Sequence, residues 1–148
     1  MSNTDLLRSA ESELLPEGYI QGHVFDLRAF GHMGSVEIDG WRKDTGEAIE
    51  ICQSESLGEA PKPGQKRKLA SDILKLVFLC QLGVIQRGRI FVTCEELYTW
   101  FHTSHAWIAA ASKLYKIAIE LKRHPSKAIR KRIRNIALIA RREMLDAA

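Results

Sequence analysis

Two acidic residues in one short stretch have the type and spacing needed to bind a cation. The stretch SVEIDGWRKDTGEAIEICQSE, residues 35 to 55, reads as two short strands joined by a turn, because Asp-Thr-Gly suits a tight reversal. Asp39 lies near the end of the first strand and Glu50 lies inside the second. Carboxylates that meet across paired strands repel each other unless a cation lies between them. We therefore predict that Asp39 and Glu50 bind Mg²⁺ or Mn²⁺ through their oxygens.

Such a pair of carboxylates suits the hydrolysis of a phosphodiester. That reaction needs a water activated at neutral pH and a positive charge that offsets the charge developing on the phosphate, and a divalent metal supplies both. Strand alternation places Glu50 and Cys52 on one face and Ile49 and Ile51 on the other. Glu50 can therefore face Asp39 while the isoleucines pack a core.

The elements around these acids predict an antiparallel meander that follows a helix. NTDLLRSAESELL, residues 3–15, reads as a helix with Asn3 or Thr4 as its N-cap and Pro16 marking its end. Three alternating stretches then read as strands: HVFDLRAF (23–30), SVEID (35–39) and EAIEICQ (47–53). In this meander we interpret Glu37 and Glu47 as surface charges.

The second half of the chain predicts one more strand among helices. The breaker-rich segment SESLGEAPKPGQK (54–66) predicts an exposed loop, and residues 65–83 then have helical apolar spacing, with Gly83 as C-cap. GRIFVTC (88–94) reads as a buried strand. Three further helices are predicted: residues 94–102, residues 104–124 opened by Ser104, and residues 125–148 with Pro125 at the first position.

Bulk properties predict one folded domain over residues 1–148. The chain is 45% apolar and 27% charged, which is typical of a globular protein. No apolar run approaches the roughly 18 residues that a membrane span needs, and the acidic N-terminus does not resemble a secretion signal. The three cysteines, Cys52, Cys80 and Cys94, are scattered through apolar segments and favour reduced thiols in a cytoplasm.

The order helix, three antiparallel strands, helix, strand resembles the core of the PD-(D/E)XK nucleases, the restriction-endonuclease-like superfamily. The resemblance depends on Asp39, on Glu50 of the next strand, and on the helix and strand in KRKLASDILKLVFLCQLGVIQRGRIFVT. It covers about residues 5–95 and leaves about 96–148 as a helical extension. It implies an α/β (α+β) fold with an αβββαβ core, a mixed sheet flanked by helices, and Mg²⁺-dependent DNA cleavage.

The resemblance also assigns the remaining site residues. The backbone carbonyl of Ile51 would be the third metal ligand, and Glu11 or Glu13 of the first helix would bind the metal through water. The family usually has lysine two residues after the glutamate, where this chain has Cys52 in the string EIC. The missing ammonium could come from Lys66, which we favour slightly, or from Lys68 on the following helix. Gln53 replaces it only if a bulge turns its side chain to the other face.

The last predicted helix has the composition of a nucleic-acid-binding surface. Residues 1–60 hold 12 acids and 4 bases, a net charge of −8, whereas residues 61–148 hold 6 acids and 18 bases, a net charge of +12. Such a basic half favours a polyanionic partner, and phosphate contacts would make its binding salt-sensitive. The candidate DNA-backbone contacts are Lys127, Arg130, Lys131, Arg134, Arg141 and Arg142.

Three hypotheses follow from these patterns. The first is a metal-dependent DNA endonuclease of restriction or repair type, which would act as a homodimer or with a partner subunit when it cuts both strands. The second is a catalytically silent nuclease-like fold that binds nucleic acid or assembles a complex, and Cys52 in the lysine position is its main support. The third is a helical interaction protein whose strands are misassigned.

Overall fold

The computed structural model describes residues 2–32, 34–55, 60–103 and 107–147. These residues form an α+β fold in which helices flank a five-stranded sheet. In chain order the elements are α1 (Asn3–Leu14), β1 (Ile20–Asp26), β2 (Ser35–Arg42), β3 (Glu47–Cys52), α2 (Pro63–Gln81), β4 (Arg87–Val92), α3 (Glu95–Thr103), α4 (Trp107–Leu114), β5 (Ile117–Leu121) and α5 (Lys127–Asp146). The sheet excludes the all-helical interpretation.

The sheet is mixed, and its strands follow the chain in the order β1-β2-β3-β4-β5. The first three strands form the predicted antiparallel meander, while β4 pairs in parallel with β3, and β5 pairs in parallel with β4. Helix α2 is the crossover between the parallel strands β3 and β4. The predicted strands at 35–39, 47–53 and 88–94 are therefore confirmed within a few residues.

The strand alternation divides the core between the two faces of the sheet. Ile49 and Ile51 pack with Phe91 and with Leu14 and Leu15 at the end of α1. The larger cluster lies on the opposite face, where Cys52 packs with core residues of α2, α3 and α4. Because Glu50 lies between two isoleucines that face α1, its side chain is directed toward α2, as the alternation predicts.

The segment after residue 95, which we predicted to be entirely helical, contributes strand β5. The predicted helix over 104–124 ends at Leu114, Lys116 follows with a φ of 55°, and Ile117–Leu121 joins the sheet beside β4. The predicted opening at Ser104 lies outside the described residues. Residues 117–119, Ile-Ala-Ile, alternate as a strand does, and they pair with the edge of β4 that would otherwise be open. This tertiary pairing makes the segment a strand and not a helix.

Smaller corrections concern where elements begin. Strand β1 begins at Ile20 and ends at Asp26, and Arg28–Phe30 then form a short 3-10 helix where we predicted continued strand. Ser2 caps α1 and forms a capping box with Asp5. Ser126 caps α5, so Pro125 precedes the helix and does not begin it.

Helix α5 docks on the molecule by its first half only. Ile133 of α5 is 4% exposed, and α5 contacts α1. Helix α5 therefore lies on the same side of the sheet as α1. His124, just before α5, is fully buried, its backbone carbonyl accepts a hydrogen bond from Arg130, and neither ring nitrogen has a hydrogen-bond partner in the described chain. Among the described residues, no helix has the length and apolar character that crossing a membrane requires.

Candidate functional site

Asp39 and Glu50 meet where β2 and β3 separate. The pairs of these two strands run from Arg42 with Glu47 to Gly40 with Ile49, and Asp39 and Glu50 are the next residue on each strand. The Asp39 carboxylate Oδ2 accepts a hydrogen bond of 2.7 Å from the Ile51 N–H, so a side chain continues the contact where the backbone ladder ends. The acids on which the prediction depends therefore lie side by side.

Glu50 is a buried carboxyl with an ammonium beside it. Its side chain is 1% exposed, and Lys75 Nζ of α2 lies 2.8 Å from Glu50 Oε1. Burial, followed by the charge of Asp39, raises the pKa of Glu50 from 4.5 to about 8, and the hydrogen bond from Lys75 opposes this rise. Lys75 also donates a hydrogen bond of 3.2 Å to the Glu37 carbonyl of β2, so its ammonium joins β2, β3 and α2.

A second ion pair lies one turn away on the same face of α2. Lys68 Nζ is 2.6 Å from Asp72 Oδ1, and Asp72 is 1% exposed while its Oδ2 has no hydrogen-bond partner in the described chain. Burial raises the pKa of Asp72 against the opposing effect of Lys68. Burial lowers the pKa of Lys68, but the hydrogen bond to Asp72 together with the charges of Asp72 and Glu50 outweighs burial, so that this pKa is raised. Because positions 68, 72 and 75 recur at helical spacing, they share one face of α2.

Cys52, in the position of the family's lysine, is a packing residue. Its side chain is 2% exposed within the main core cluster. Burial, followed by the charge of Asp72, raises the pKa of the Cys52 thiol to about 12. The thiol is therefore neutral and carries no charge to the site.

Glu11 is the helix α1 acid that faces the site. It lines a cleft of about 270 Å³ together with Asp39, Glu37 and Arg8, and Arg8 lies 3.5 Å from Glu37. Burial, followed by the charge of Asp39, raises the pKa of Glu11 from 4.5 to about 7. Glu13, the other predicted candidate, is exposed and interacts with His124 instead.

The donor set at the strand gap matches what Mg²⁺ prefers, which is carboxylate and carbonyl oxygen. Since the N–H and C=O of one residue in a strand point to the same side, the Ile51 carbonyl faces the same gap as its N–H, which binds Asp39. No group of three or more Asp, Glu, His and Cys side chains in the described parts of the chain is arranged to hold a metal. A cation here would thus rely on two carboxylates, a carbonyl and water.

Lys66 and Gln53, two of the residues that we predicted to replace the motif lysine, contact residues outside the site. Lys66, which we favoured, extends over the ring of Trp100, with its Nζ 4.8 Å from the ring centroid. Gln53 donates a hydrogen bond of 3.3 Å to the Leu7 carbonyl and so connects the end of β3 to α1. Lys68 lies on the site face but pairs with Asp72, and the ammonium that contacts Glu50 belongs to Lys75.

Sequence reasoning missed Lys75, Asp72 and the location of Glu47. The first two carried a signal, because Lys68, Asp72 and Lys75 have the spacing of one helix face and Asp72 is the only acid in α2. Glu47, predicted as a surface charge, is 7% exposed and binds Arg87, Arg89 and the Tyr19 hydroxyl. This network lies where β3, β4 and β5 meet, since Arg89 also binds Glu120.

The predicted DNA-contacting residues are on α5, and most of them are exposed. Lys127, Lys131, Arg134, Arg141 and Arg142 are exposed, whereas Arg130 is half-buried with its guanidinium donating to the His124 carbonyl. Arg130 thus helps to hold the start of the helix, and the other bases form the exposed cationic surface.

The fold and site together define an α+β protein with a five-stranded mixed sheet and a buried carboxyl–ammonium cluster where two strands separate. Comparison with protein-family models, with curated proteins and with solved structures found no match to this chain.

Proposed function

We propose that this chain is a metal-dependent DNA endonuclease with a restriction-endonuclease-like fold. The single observation that carries the proposal is the meeting of Asp39 and Glu50 at the gap between β2 and β3, with the Lys75 ammonium 2.8 Å from Glu50. The element order from α1 to β4 supports it, because helix, three antiparallel strands, helix and parallel strand is the predicted order.

Each residue of the cluster has a distinct part in this proposal. Asp39, Glu50 and the Ile51 carbonyl would hold a divalent cation, and Glu11 would reach it through water. When bound, the cation lowers the pKa of a water and offsets charge on the phosphate. Lys75 would replace the absent motif lysine: its ammonium, 2.8 Å from Glu50, would orient the attacking water and stabilise negative charge on the phosphate oxygens.

Lys68 and the α5 surface would position the substrate. The Lys68 side chain is 53% exposed although its ammonium pairs with Asp72, so it can contact a phosphate entering the site. The exposed bases of α5 would bind the DNA backbone without reading sequence. A homodimer or a partner subunit would supply the second site for cutting both strands, in the cytoplasm where Mg²⁺ or Mn²⁺ is present.

Plasmid DNA incubated with the purified protein and Mg²⁺ or Mn²⁺ tests the proposal. We expect metal-dependent nicking that a chelator abolishes and that Asp39→Asn reduces by about 10³-fold or more, because that variant removes a metal ligand. Glu13→Gln is the matched control, since Glu13 is an exposed acid that faces His124, and its rate should equal that of the wild type. Nicking that is unchanged in Asp39→Asn would refute the assignment of the site.

A catalytically silent nucleic-acid-binding or assembly subunit is the second candidate. The buried, neutral Cys52 favours it, because no charge comes from the usual lysine position. Salt-sensitive DNA binding without cleavage under either metal would select this function over the first.

A further inference from the structure

His124 is a fully buried titratable side chain that takes no part in the proposed site. It lies in the connection between β5 and α5, its exposed fraction is 0%, and neither Nδ1 nor Nε2 has a hydrogen-bond partner in the described chain. Most buried polar groups are hydrogen-bonded, so an imidazole with both nitrogens unpaired is unusual. A neutral imidazole is tolerated in such a place far better than an imidazolium, which has two N–H donors and a charge.

The charged groups that act on this ring come from two helices. Among the described side chains, Glu13 of α1 favours the imidazolium and Arg130 of α5 opposes it, while burial opposes it more strongly than Arg130 does. The sum lowers the pKa of His124 from its usual 6.5. Glu13 is exposed, so water screens its charge and it does not replace the hydration that the ring loses on burial. The buried ring therefore binds a proton less readily than a histidine in water does.

The backbone around His124 connects the ring to the start of α5. The His124 carbonyl accepts a hydrogen bond from the Arg130 guanidinium, and Pro125, which restricts the conformation of the residue before it, follows directly. Ser126 then caps the helix by accepting a hydrogen bond from the Ile129 N–H. Hydrating the imidazole therefore requires the start of α5 to move.

The contact that holds α5 against the rest of the molecule is small. Of the described residues of this helix, Ile133 alone is buried, and the helix contacts α1 through its first half. An element with few buried apolar contacts opens more easily than the core of the same protein. A charge placed at the edge of this contact is thus enough to shift the equilibrium between docked and released α5.

We propose that His124 is an acid-sensitive latch, which holds α5 against α1 while the imidazole is neutral and releases α5 when the imidazole binds a proton. Above pH 6.5 the ring is neutral in both states, so docking has its full strength. As the pH falls below 6.5, the released ring binds a proton that the docked ring does not, and docking weakens. The exposed bases of α5 lie on this helix, so the latch makes the placement of the cationic surface depend on pH.

The latch is distinguishable from the acid cluster and independent of any reaction there. The pKa values of Glu50 and Glu11 are raised by folding, so their contribution to stability grows in acid, whereas the contribution of His124 is lost in acid. The two effects have opposite signs and act on different elements. The latch must therefore be measured at α5 itself and not through the overall stability of the protein.

Hydrogen exchange of the α5 amides in the whole chain, at pH 7.5 and 5.5 and corrected for the intrinsic exchange rate at each pH, tests the latch. A released α5 loses protection, because an isolated helix is only marginally stable in water. We expect the protection of α5 to fall about tenfold between the two pH values, because one pH unit below 6.5 favours the protonated, released ring by about that factor.

Two apolar variants and one control identify the group that is responsible. His124→Phe fills a similar space, loses no hydrogen bond of the ring and cannot bind a proton, so its α5 should keep at pH 5.5 the protection that it has at pH 7.5. His124→Leu makes the same comparison with a smaller side chain, and His102→Gln, which removes an exposed histidine of α3, should behave as the wild type. Wild-type protection that is unchanged at pH 5.5, or that falls equally in both apolar variants, would overturn the proposal.

Discussion

At the scale of single residues, the cation of the proposed site comes from α2 and not from position 52 of β3. A lysine at position 52 would lie in the core beside Val92 and Leu69, where an ammonium is costly to bury. Lys75 reaches Glu50 from α2 instead, and its own side chain is 29% exposed, so that part of it stays hydrated. The charge of the site is thus retained while position 52 packs the core.

Substituting Lys75 and Lys66 of α2 separately tests the role proposed for Lys75. We expect Lys75→Ala to lower the rate of DNA cleavage by about 10² or more, because the ammonium that stabilises developing charge is lost. Lys66→Ala is the matched control on the same helix, and its cleavage rate should remain that of the wild type, since Lys66 contacts Trp100. Single-turnover cleavage rates measure both effects, and equal losses in the two variants would contradict the role of Lys75.

At the residue level, the predicted direction of the side chains along β3 is confirmed, because one local periodicity decides it. Strand alternation alone placed Glu50 opposite Ile49 and Ile51, because side chains in a strand must alternate between the two faces. The choice among Lys66, Lys68 and Lys75 depends on how α2 is rotated over the sheet. That rotation is set by the tertiary packing of Leu69, Ile73 and Leu76. The sequence pattern therefore could not identify Lys75 as the lysine that contacts Glu50.

At the scale of elements, the close approach of α2 to β4 positions the face of α2 that carries Lys68 and Lys75. A Cβ at Gly88 would lie 2.8 Å from Leu76 Cδ1 and 3.3 Å from Leu76 Cβ. Leu76 is fully buried and cannot swing away, and it is the immediate neighbour of Lys75. The absence of a side chain at Gly88 therefore sets the depth at which α2 lies on the sheet.

Gly88→Ala should destabilise the fold by about 1–3 kcal/mol, because the added methyl overpacks the contact with Leu76. Urea unfolding provides the measurement. Gly64→Ala is the control, because a Cβ there meets nothing within 4 Å, and alanine favours the helix over glycine. A Gly88→Ala protein as stable as the wild type would mean that α2 is free to shift.

The exposed bases of α5 predict a salt-dependent interaction with DNA. Lys131→Ala and Arg134→Ala should each weaken binding and reduce the slope of log K against log salt concentration by about 1, because each removes one phosphate contact. Arg132→Ala is the control, since Arg132 lies on another side of the helix from Arg134. Titrations of labelled DNA at several salt concentrations measure the slopes, and a slope unchanged in all three variants would place the DNA elsewhere.

Strand β5 is the element that local patterns could not assign. Residues 107–121 carry apolar side chains compatible with a helix, and the turn at Lys116 has neither glycine nor proline to announce it. Ile117 and Ile119 are buried in the main core because β4 offers an open parallel edge there. The open edge of β4 lies far from residues 117–121 in the sequence, so a local pattern cannot reveal it. Helix α2 and the meander, by contrast, were predictable from their own periodicity and turns.

At the scale of the whole molecule, the acid cluster makes stability depend on pH. Folding raises the pKa of Glu50 from 4.5 to about 8, so between these values the folded state binds more protons than the unfolded chain. Stability contributed by the protonated carboxyl is therefore full below about pH 4.5 and is lost as the pH rises toward 8. Glu11 acts in the same direction, with a folded pKa of about 7.

Glu50→Gln should remove most of this dependence in the metal-free protein. We expect the variant to gain stability over the wild type as the pH rises from 5 to 8, by on the order of a few kcal/mol, because the amide needs no proton to remain neutral. Thermal melts in the presence of a chelator, at several pH values, give the comparison. Parallel melting curves for the two proteins across this range would show that Glu50 ionises as freely as it does in the unfolded chain.

The Lys75 ammonium bridges Glu50 and the Glu37 carbonyl. The gap between β2 and β3 therefore already contains a positive charge that belongs to the protein. An incoming ion must compete with a positive charge already in place and must also release a carboxyl proton. A singly charged ion would replace one positive charge with another of the same size, while a doubly charged ion would be attracted more strongly by both carboxylates. We therefore expect occupancy to depend steeply on valence, so that Na⁺ and K⁺ at high concentration leave the gap as it is while Mg²⁺ enters.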